Sequence, residues 1–417
     1  MSYRNLCLAL IIVIFVAFIY SWGFLNDPTK KIPRFHSTGL NTHFSAQAYS
    51  SFEDYLSLTS LMVKKAHEIK HYHTNKIDIF NNSPKELLPD PRLCPKRQSD
   101  LYENGIVLIH GLFDSPYGMA QLGQFFQRHC FLVYVPLLPG HGTVVGDLLK
   151  VDYQDWIHVV NFSTIALSKK VKHIYLGGHS IGGLLAINQA FLTKQLNITG
   201  LILLAPALTM KTQLMPLIPF VYWTSRWIPR MRWWQLDRDS ASVRYESVPI
   251  NPVYQTLKLM RHVQYQLAHQ KLLIPIFIAQ SLEDQTIDSA ATIQFFNATK
   301  NPRSRLLLFS KEKQNSSLYD SRTSLFISFL PLQNILSMSH LSLTLQRNDP
   351  IYGLKGQYKD CLFYEENSQS WKQCKLGLNT QLGEVTSQNT KIAIVQRLTF
   401  NPFYNTMLVK LNSFLRM

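Results

Sequence analysis

The sequence has few acidic residues, few cysteines and no repeated or low-complexity segment. Its 26 aspartates and glutamates are outnumbered by 42 lysines and arginines, which gives a formal net charge of +16. No stretch gathers this charge into a basic arm, so it favours an anionic membrane surface over a nucleic-acid site, or simply follows a bias of the host proteome. A charged fraction of 16% beside 46% hydrophobic residues excludes extended disorder and predicts a large folded core.

The five cysteines lack the Cys-x-x-Cys spacing that is typical of zinc sites, so they give no indication of a metal centre. Four of them lie outside the apolar N-terminal segment, at Cys94, Cys130, Cys361 and Cys374. An even number permits two disulfides, and Cys361 and Cys374 lie close together in a polar, turn-rich segment where they would be able to pair. The alternative is four unpaired, partly buried thiols.

A long hydrophobic run is present near the N-terminus. Residues 6–25 read LCLALIIVIFVAFIYSWGFL and carry no charge, and a run of this length matches the roughly 20 residues that span a bilayer core. Arg4 precedes the run, as in a signal sequence, but the small residues of a cleavage site are missing at its end. Residues 1–25 are therefore predicted to be an uncleaved signal anchor, a transmembrane helix that ties the protein to a membrane.

The charges and the cysteines favour opposite orientations of this anchor. Lys30, Lys31 and Arg34 follow the run, and the positive-inside rule taken alone would not place the body of the protein outside. An even set of cysteines instead favours an oxidising compartment. We expect a membrane-anchored protein whose body is exported to the periplasmic or extracytoplasmic side.

Beyond the anchor, the sequence pattern divides the chain into three parts. Residues 26–99 are predicted to be a linker and an N-terminal extension, with one helix between 45 and 73 and a loop from 81 to 99. Residues 100–345 alternate short apolar runs with helical stretches, which predicts an α/β fold with a mostly parallel sheet and helices on both faces. Residues 346–417 form a C-terminal extension that ends in an amphipathic helix. The predicted strands are 105–110, 131–136, 173–177, 200–205, 274–279 and 305–309, and the predicted helices between them are 119–128, 156–169 and 183–196.

The segment LGGHSIGG, residues 176–183, joins a predicted strand to a predicted helix. In that context Gly-x-Ser-x-Gly indicates a nucleophilic serine, Ser180, on a sharp turn. Gly178 and Gly182 would avoid collisions with the neighbouring strand and helix and would tolerate a strained backbone. The turn would lift Ser180 Oγ above the sheet, at a helix N-terminus whose partial positive charge favours a developing negative charge. The alternative is a glycine-rich turn with an idle serine.

A second strand-to-loop junction, residues 110–115, is where we expect an oxyanion site. Acyl transfer needs two backbone N–H donors around the developing oxyanion, and each contributes about 3 kcal/mol. One donor would be the N–H of Ile181, which follows the nucleophile, and the other that of Leu112, with Phe113 as the alternative. His110 is interpreted as a structural residue that ends a buried strand and braces the loop.

Taken together, these motifs resemble the α/β-hydrolase superfamily, and in particular its branch of bacterial carboxylesterases, monoacylglycerol lipases and lysophospholipases. That branch also contains aminopeptidases. The similarity extends roughly from residue 105 to residue 343, and it implies an α/β-hydrolase fold with an inserted cap and a triad in the chain order serine, acid, histidine. The motifs are His110-Gly111, Pro139-Gly-His-Gly142, Trp156, Gly178-His-Ser-Ile-Gly182 and Ala205-Pro206.

The resemblance implies that the acid follows the strand at 274–279 and that the histidine follows one further strand. Asp284 fits the family pattern because an apolar β-branched residue follows it within three positions, while Glu283 and Asp288 are the alternatives. The strand before the histidine is assigned to residues 332–339, which places His340 at its end, and no other histidine lies C-terminal to Asp284. The acid would orient the histidine and stabilise its charged form.

The resemblance also implies a cap over the nucleophile at about residues 209–271, where the strand rhythm is interrupted. Four of the seven tryptophans lie there, interleaved with arginines. Trp223 and Trp227, together with Phe113, are candidates for lining an acyl-chain pocket, or the cap aromatics would rest on a lipid surface. The alternative is that they pack the cap onto the body.

The sequence therefore predicts a membrane-anchored serine esterase that acts on a small-molecule or lipid ester with an apolar acyl group. Neither a metal nor an organic cofactor is needed for this chemistry, no nucleic-acid partner is expected, and the oligomeric state is left open. Two other functions stay open: a peptidase of the proline-aminopeptidase type, and a catalytically silent binding protein that has kept the fold. An aminopeptidase would need an acidic subsite for a free amine, and the excess of arginine in the cap argues against it.

Overall fold

A computed structural model describes residues 27–94 and 100–416. The predicted signal anchor, residues 1–25, lies outside the described residues. Among the helices of the described part, none combines the length and the hydropathy that crossing a membrane requires.

The core of the molecule is an eight-stranded sheet. Its strands are β1 (Lys85–Leu87), β2 (Tyr102–Ile109), β3 (Phe131–Val135), β4 (Val171–His179), β5 (Ile198–Leu204), β8 (Ile276–Ser281), β9 (Arg305–Ser310) and β10 (Thr323–Ile327). They are arranged in the order β1-β3-β2-β4-β5-β8-β9-β10 and run parallel to one another, except that β1 pairs antiparallel with β3 at one edge. Two small sheets pair β6 (Trp233–Gln235) with β7 (Val248–Pro249), and β11 (Thr380–Gly383) with β12 (Ile394–Arg397).

Helices cover both faces of the large sheet, as the fold class predicted from the sequence requires. Successive residues of a strand point to opposite faces, so Val107 and Ile109 join one apolar cluster with α4, α5 and α7, while Ile106 and Leu108 join another with α3 and α11. The helices are α1 (Phe52–Lys70), α2 (Lys76–Asn82), α3 (Tyr117–Arg128), α4 (Tyr153–Ser168), α5 (Ile181–Leu192), α6 (Ile218–Ser225), α7 (Ile250–His269), α8 (Ser289–Ala298), α9 (Gln369–Leu376), α10 (Asn389–Ile392) and α11 (Tyr404–Leu415).

The N-terminal extension is more structured than its sequence indicates. Helix α1 lies where one helix is expected, and it packs on the sheet through Phe52, whose ring stacks on Tyr134 at 3.6 Å between centroids. A second helix, α2, follows, and the segment predicted to be a loop contains β1, which covers the edge of β3. A three-residue strand is too short to show an alternating pattern, which explains why the sequence did not reveal it.

The strand that precedes His340 is also not where the sequence pattern predicts it. The prediction at 332–339 is wrong, because the last strand of the sheet is β10, which pairs in parallel with β9. Residues 332–339 lie beyond it, and only Ile335 forms isolated bridges there, to Leu330 and Leu382. Ile335 and Met338 are apolar because they are buried in the core cluster under the sheet, which a sequence pattern does not distinguish from strand burial.

The predicted cap packs on the body of the protein. Helix α6 packs on α7, which also packs against α4 and α5 and so belongs to the body, and β7 packs against residues 145–149. The C-terminal extension, in turn, returns to the sheet through α11, where Phe414 packs near Phe277 with 5.8 Å between ring centroids.

Two disulfides cross-link segments that lie outside the large sheet. Cys94 is joined to Cys130, and Cys361 to Cys374, with Cα–Cα distances of 5.4 and 6.0 Å. The first bond fastens the end of the N-terminal extension to the turn after α3. The second closes a loop within the C-terminal extension.

Candidate active site

Ser180 lies on a strained turn between β4 and α5. Its backbone has φ 55° and ψ −118°, a conformation that residues other than glycine rarely adopt. A Cβ on Gly178 would lie 2.4 Å from the carbonyl carbon of Gly182, and a Cβ on Gly182 would lie 2.1 Å from the carbonyl oxygen of Ile109. Both glycines are thus required by close approach of the backbone, as the sequence motif predicts.

The turn is held by backbone hydrogen bonds on both sides of the serine. The N–H of Ser180 donates to the carbonyl of Leu204 at 2.9 Å, and its own carbonyl accepts from the N–H of Ala207 at 3.0 Å. The side chain lies at the wall of a cavity of about 500 Å³ that His340 also lines. A volume of this size accommodates a small organic ligand.

The structure brings His340 and Asp284 together. The Nδ1 of His340 lies 2.7 Å from Oδ2 of Asp284, and both side chains are almost fully buried. Oδ1 of Asp284 accepts two backbone N–H groups, from Thr286 at 2.8 Å and from Ile287 at 2.9 Å. Both oxygens of the carboxylate are therefore fixed, and the histidine ring is held by one of them.

These contacts determine the charge state of Asp284. Burial alone would raise the pKa of the carboxyl group, but the neighbouring His340 and the two backbone donors lower it to about 2. The carboxylate is consequently ionised at any ordinary pH. A charged acceptor at Nδ1 keeps the proton on that nitrogen, which leaves Nε2 free to accept one.

The two alternative acids have other partners. Oε1 of Glu283 accepts the backbone N–H of Lys311 at 2.7 Å, and Asp288 caps helix α8 by accepting the N–H of Ala290 at 2.9 Å. Only Asp284, among these three acids, has a hydrogen bond to the ring of His340 within the described residues. Of the three acids considered, the geometry therefore selects Asp284.

The two predicted oxyanion donors both line the cavity next to Ser180. Ile181 is the first residue of α5, and Leu112 lies in the loop after β2. Within the described residues, neither N–H has a backbone acceptor, so both are free to meet a ligand oxygen. The alternative donor, Phe113, has a positive φ of 64°, and its carbonyl accepts the N–H of Tyr245 at 2.8 Å.

His110 has the structural role that the sequence indicates. Its Nε2 accepts the N–H of Leu138 at 3.1 Å, and Nδ1 lies 2.9 Å from the carbonyl of Gly111, where it donates. Burial lowers the pKa of this imidazole well below its usual value, so it stays neutral and links two loops of the site. His179 is also a buried histidine of the site. Burial and the adjacent His340 lower its pKa to about 3, and its Nε2 lies 3.0 Å from the carbonyl oxygen of His340.

The C-terminal extension supplies a group that sequence reasoning missed. Oε2 of Glu384 accepts the backbone N–H of His340 at 3.1 Å, and Oε1 receives the Nε of Arg397 at 2.8 Å. Arg397 also donates to Thr286 Oγ1 at 2.8 Å, directly beside Asp284. This ion pair connects the histidine loop to the acid loop. No sequence motif marks it, because Glu384 directly follows β11 and Arg397 ends β12, a short strand pair that lies far along the chain from Ser180 and Asp284.

Of the predicted substrate-binding residues, Phe113 lines the cavity and the two tryptophans do not. Trp223 and Trp227 are exposed to 57% and 63%, and the structure places them on the outer surface of the cap. Their neighbour Trp233 is the buried one, in edge contact with Phe35 at 4.9 Å. The assignment of Trp223 and Trp227 to the pocket is therefore wrong, because α6 and the turn that follows it present these side chains to solvent. The apolar lining comes instead from Met210, Val253, Met260 and Ile287.

The chain matches the family model described as serine aminopeptidase, S33, over residues 103–311, half of its length. It is 30% identical over 83 residues to a thermostable monoacylglycerol lipase of Bacillus sp. (strain H-257), a match that covers 20% of this chain and 33% of the relative. The matched segment thus spans about a third of that relative.

Solved structures with a similar backbone include two lipolytic proteins. One belongs to a pair of metagenome-derived lipolytic enzymes, LipS and LipT. It has a TM-score of 0.44 and 18% identity, and the match covers 60% of this chain and 91% of that one. The other is a soluble variant of the monoglyceride lipase of Saccharomyces cerevisiae, with a TM-score of 0.42 and 14% identity, covering 55% and 82% of the two chains.

Proposed function

Because the chain belongs to the serine aminopeptidase S33 family of α/β-hydrolase serine hydrolases, we propose that it cleaves carboxylic esters with an apolar acyl group through Ser180, His340 and Asp284. The observation that carries this proposal is the buried pair of His340 and Asp284, 2.7 Å apart, at the cavity where Ser180 stands on its strained turn.

The reaction proceeds through an acyl-enzyme. Ser180 Oγ attacks the ester carbonyl while Nε2 of His340 takes the hydroxyl proton, and Asp284 stabilises the imidazolium that results. The N–H groups of Leu112 and Ile181 donate to the oxyanion. When the tetrahedral intermediate collapses, His340 returns the proton to the departing alcohol, and a water molecule then releases the acid by the same steps in reverse.

The lining of the cavity supports an apolar acyl group. Met210 and Ile287 are joined by a β-bridge at the base of the cap, and Val253 and Met260 face the same space from α7. These side chains offer no hydrogen-bonding group, so a polar acyl chain would lose its hydration without compensation there. A hydrocarbon chain would instead gain from the burial of its apolar surface.

An aminopeptidase is the second candidate, and one observation favours it. The cap arginines Arg226, Arg230 and Arg232 are exposed, so of the arginines in this segment Arg244 is the one that lines the cavity and opposes the binding of an amine. The cavity itself is lined by the carboxylates of Asp114, Asp360 and Glu384. A substrate amine would find acidic groups there, beside the guanidinium groups of Arg244 and Arg397, and hydrolysis assays with both substrate classes decide between ester and peptide.

We also propose that the protein is tethered to a membrane through residues 1–25 with its body in an oxidising compartment. Two disulfides support the choice of compartment, because such bonds persist outside the reducing cytosol. The exposed aromatic residues of the cap, Phe220, Trp223 and Trp227, would suit a position close to lipid. Recovery of the full-length chain in the membrane fraction after carbonate extraction supports the tether, and recovery in the soluble fraction contradicts it.

A series of p-nitrophenyl esters with acyl chains from acetyl to dodecanoyl tests the ester function, with leucine and proline p-nitroanilides as peptidase substrates. We expect hydrolysis of the esters with a preference beyond acetyl, little turnover of the anilides, and loss of both in Ser180→Ala. Faster turnover of the anilides would select the peptidase. Retained ester hydrolysis in Ser180→Ala would refute the mechanism.

A further inference from the structure

One wall of the cavity contains buried polar atoms that have no partner in the protein. The Nε of Arg244, Oδ2 of Asp360 and Oδ1 of Asp114 are all shielded from solvent, and each lacks a hydrogen-bond partner among the described residues. All three side chains line the cavity that contains Ser180. Buried polar groups in folded proteins are nearly always paired, so this cluster points to a ligand that completes it.

Asp360 comes from the C-terminal extension and is held in place by its neighbours. The residue is only 3% exposed, its carbonyl accepts the N–H of Arg397 at 3.0 Å, and the disulfide from Cys361 to Cys374 begins at the next residue. Oδ1 faces the N–H of Leu362 at 3.4 Å, a long contact that leaves the carboxylate poorly satisfied. A buried carboxylate without a close partner is energetically unfavourable.

Arg244 lies between carboxylates without forming a close ion pair to them. Burial alone would lower the pKa of its guanidinium, but Tyr358, Tyr352, Asp360 and Asp114 together raise it, so it is charged. Its Cζ lies 5.6 Å from the centroid of the Tyr358 ring. Asp114, in the loop that carries the predicted oxyanion donor, has its pKa raised to about 6 by burial, which Arg244 only partly offsets.

The mixture of groups restricts the ligand. A phosphate or carboxylate would meet Arg244 but would be repelled by Asp360, whereas an ammonium group would meet Asp360 but would be repelled by Arg244. A hydroxyl group both donates and accepts, so adjacent hydroxyls can donate to the carboxylates and accept from the guanidinium without bringing net charge. A hydroxyl-rich, neutral group satisfies all three side chains at once.

Resting on the ester hydrolase function proposed above, we propose that Arg244, Asp360 and Asp114 form an alcohol-side subsite that binds a neutral polyol head group such as glycerol. The apolar wall of the cavity then holds the acyl chain, and this subsite holds the alcohol that leaves. Asp360 makes the C-terminal extension a determinant of specificity, because that extension supplies a group which the matched region, residues 103–311, does not contain.

Binding of a non-hydrolysable ligand separates this proposal from the catalytic one. Calorimetry on the full chain carrying Ser180→Ala would compare 1-O-decylglycerol with decyl methyl ether, which has the same chain but no hydroxyls. We expect the glyceryl ether to bind at least about tenfold more tightly, since its hydroxyls pair groups that are otherwise orphaned. Equal affinity for the two ethers would overturn the subsite, whether or not the protein proves to be an esterase.

Substitutions then test which residues cause the expected preference for a glyceryl ester over a methyl ester. Asp360→Asn and Arg244→Gln should each lower kcat/KM for 1-monodecanoylglycerol about tenfold or more, and for methyl decanoate by less than about threefold. Glu365→Gln, on the exposed surface of the same extension, is the matched control and should leave the ratio of the two substrates as it is in the wild type. Equal losses on both substrates would show a merely structural role, and a selective loss on an aminoacyl anilide would show an amine site; either result overturns the proposal.

Discussion

The hydrolase core and the C-terminal extension contribute to the same cavity in different ways. The core places its groups at the ends of parallel strands, where Ser180, Asp284 and the oxyanion loop follow β4, β8 and β2. The extension has little regular structure near the site, and it places Asp360 and Glu384 there through a disulfide and an ion pair. In the functions proposed above, the core carries out the reaction, and the extension selects the alcohol and positions His340.

A change in the core is expected to affect every substrate equally, and Asp284→Asn should have the largest effect. The amide can present an N–H to Nδ1 of His340 and so stabilise the wrong tautomer, which lowers kcat by about 10⁴-fold. Steady-state kinetics with glyceryl and methyl esters measure it. Asp288→Asn, at the cap of α8, is the control and should change kcat by less than about twofold. A large effect of Asp288→Asn with a small one of Asp284→Asn would reverse the assignment.

Removal of the disulfide in the extension should distinguish the contribution of the extension from that of the core. Replacement of both Cys361 and Cys374 by serine opens a loop with a sequence separation of 13, which is expected to cost about 3 kcal/mol of unfolding free energy. Because Asp360 adjoins this bond, the preference for glyceryl over methyl esters should fall as well. Serine at both Cys94 and Cys130 is the matched control, which destabilises the fold without changing that preference. Equal selectivity in the two double variants would mean that the extension does not determine specificity.

The ion pair between Glu384 and Arg397 tests whether the extension also positions the histidine. In Glu384→Gln the charged acceptor of the His340 N–H is lost, and kcat should fall about tenfold on all esters with little change in KM. Glu384→Asp, which retains the charge, should recover part of the rate. A loss confined to glyceryl esters would instead place Glu384 in the alcohol subsite.

The smallest expected effect concerns the pH dependence of stability. Burial raises the pKa of Asp114 to about 6 in the folded protein, against 3.8 ordinarily, so the folded state binds its proton more tightly. The resulting stability is fully present below about pH 4 and is lost as pH rises through 6. The free energy of unfolding of Asp114→Asn, minus that of the wild type, should therefore be about 1–2 kcal/mol larger at pH 7 than at pH 4. The difference is no larger than this because the residue is partly exposed. Urea unfolding at the two pH values measures this difference, and a constant difference would contradict it.

Much of the core was predictable because its signals are local. The glycines at 178 and 182 belong to a short motif that is recognisable in the sequence, although the backbone that Gly182 approaches is that of Ile109 on the neighbouring strand. Buried parallel strands appear in the sequence as apolar runs. His340 was predicted without the correct strand before it, since its assignment depended on the resemblance and on the absence of any later histidine. Asp284 followed from a pattern beside a strand end.

The extension was not predictable, because its contributions depend on contacts between distant segments. Glu384 meets His340 across 44 residues, and Arg244 shares a wall with Asp114 and Asp360, which come from three different parts of the chain. The exposed positions of Trp223 and Trp227 show the same limit. The composition showed that the cap is rich in aromatic residues, but not the direction in which α6 and the turn after it present them.

Labelling with a fluorophosphonate, followed by peptide mass spectrometry, tests the nucleophile most directly. The reagent reacts with activated serine nucleophiles, so the folded protein should carry one label on the peptide that contains Ser180. Ser180→Ala should carry none, and Asp284→Asn should react much more slowly than the wild type. A folded, unlabelled wild-type protein, or a label on another serine, would contradict the assignment of Ser180 as the nucleophile.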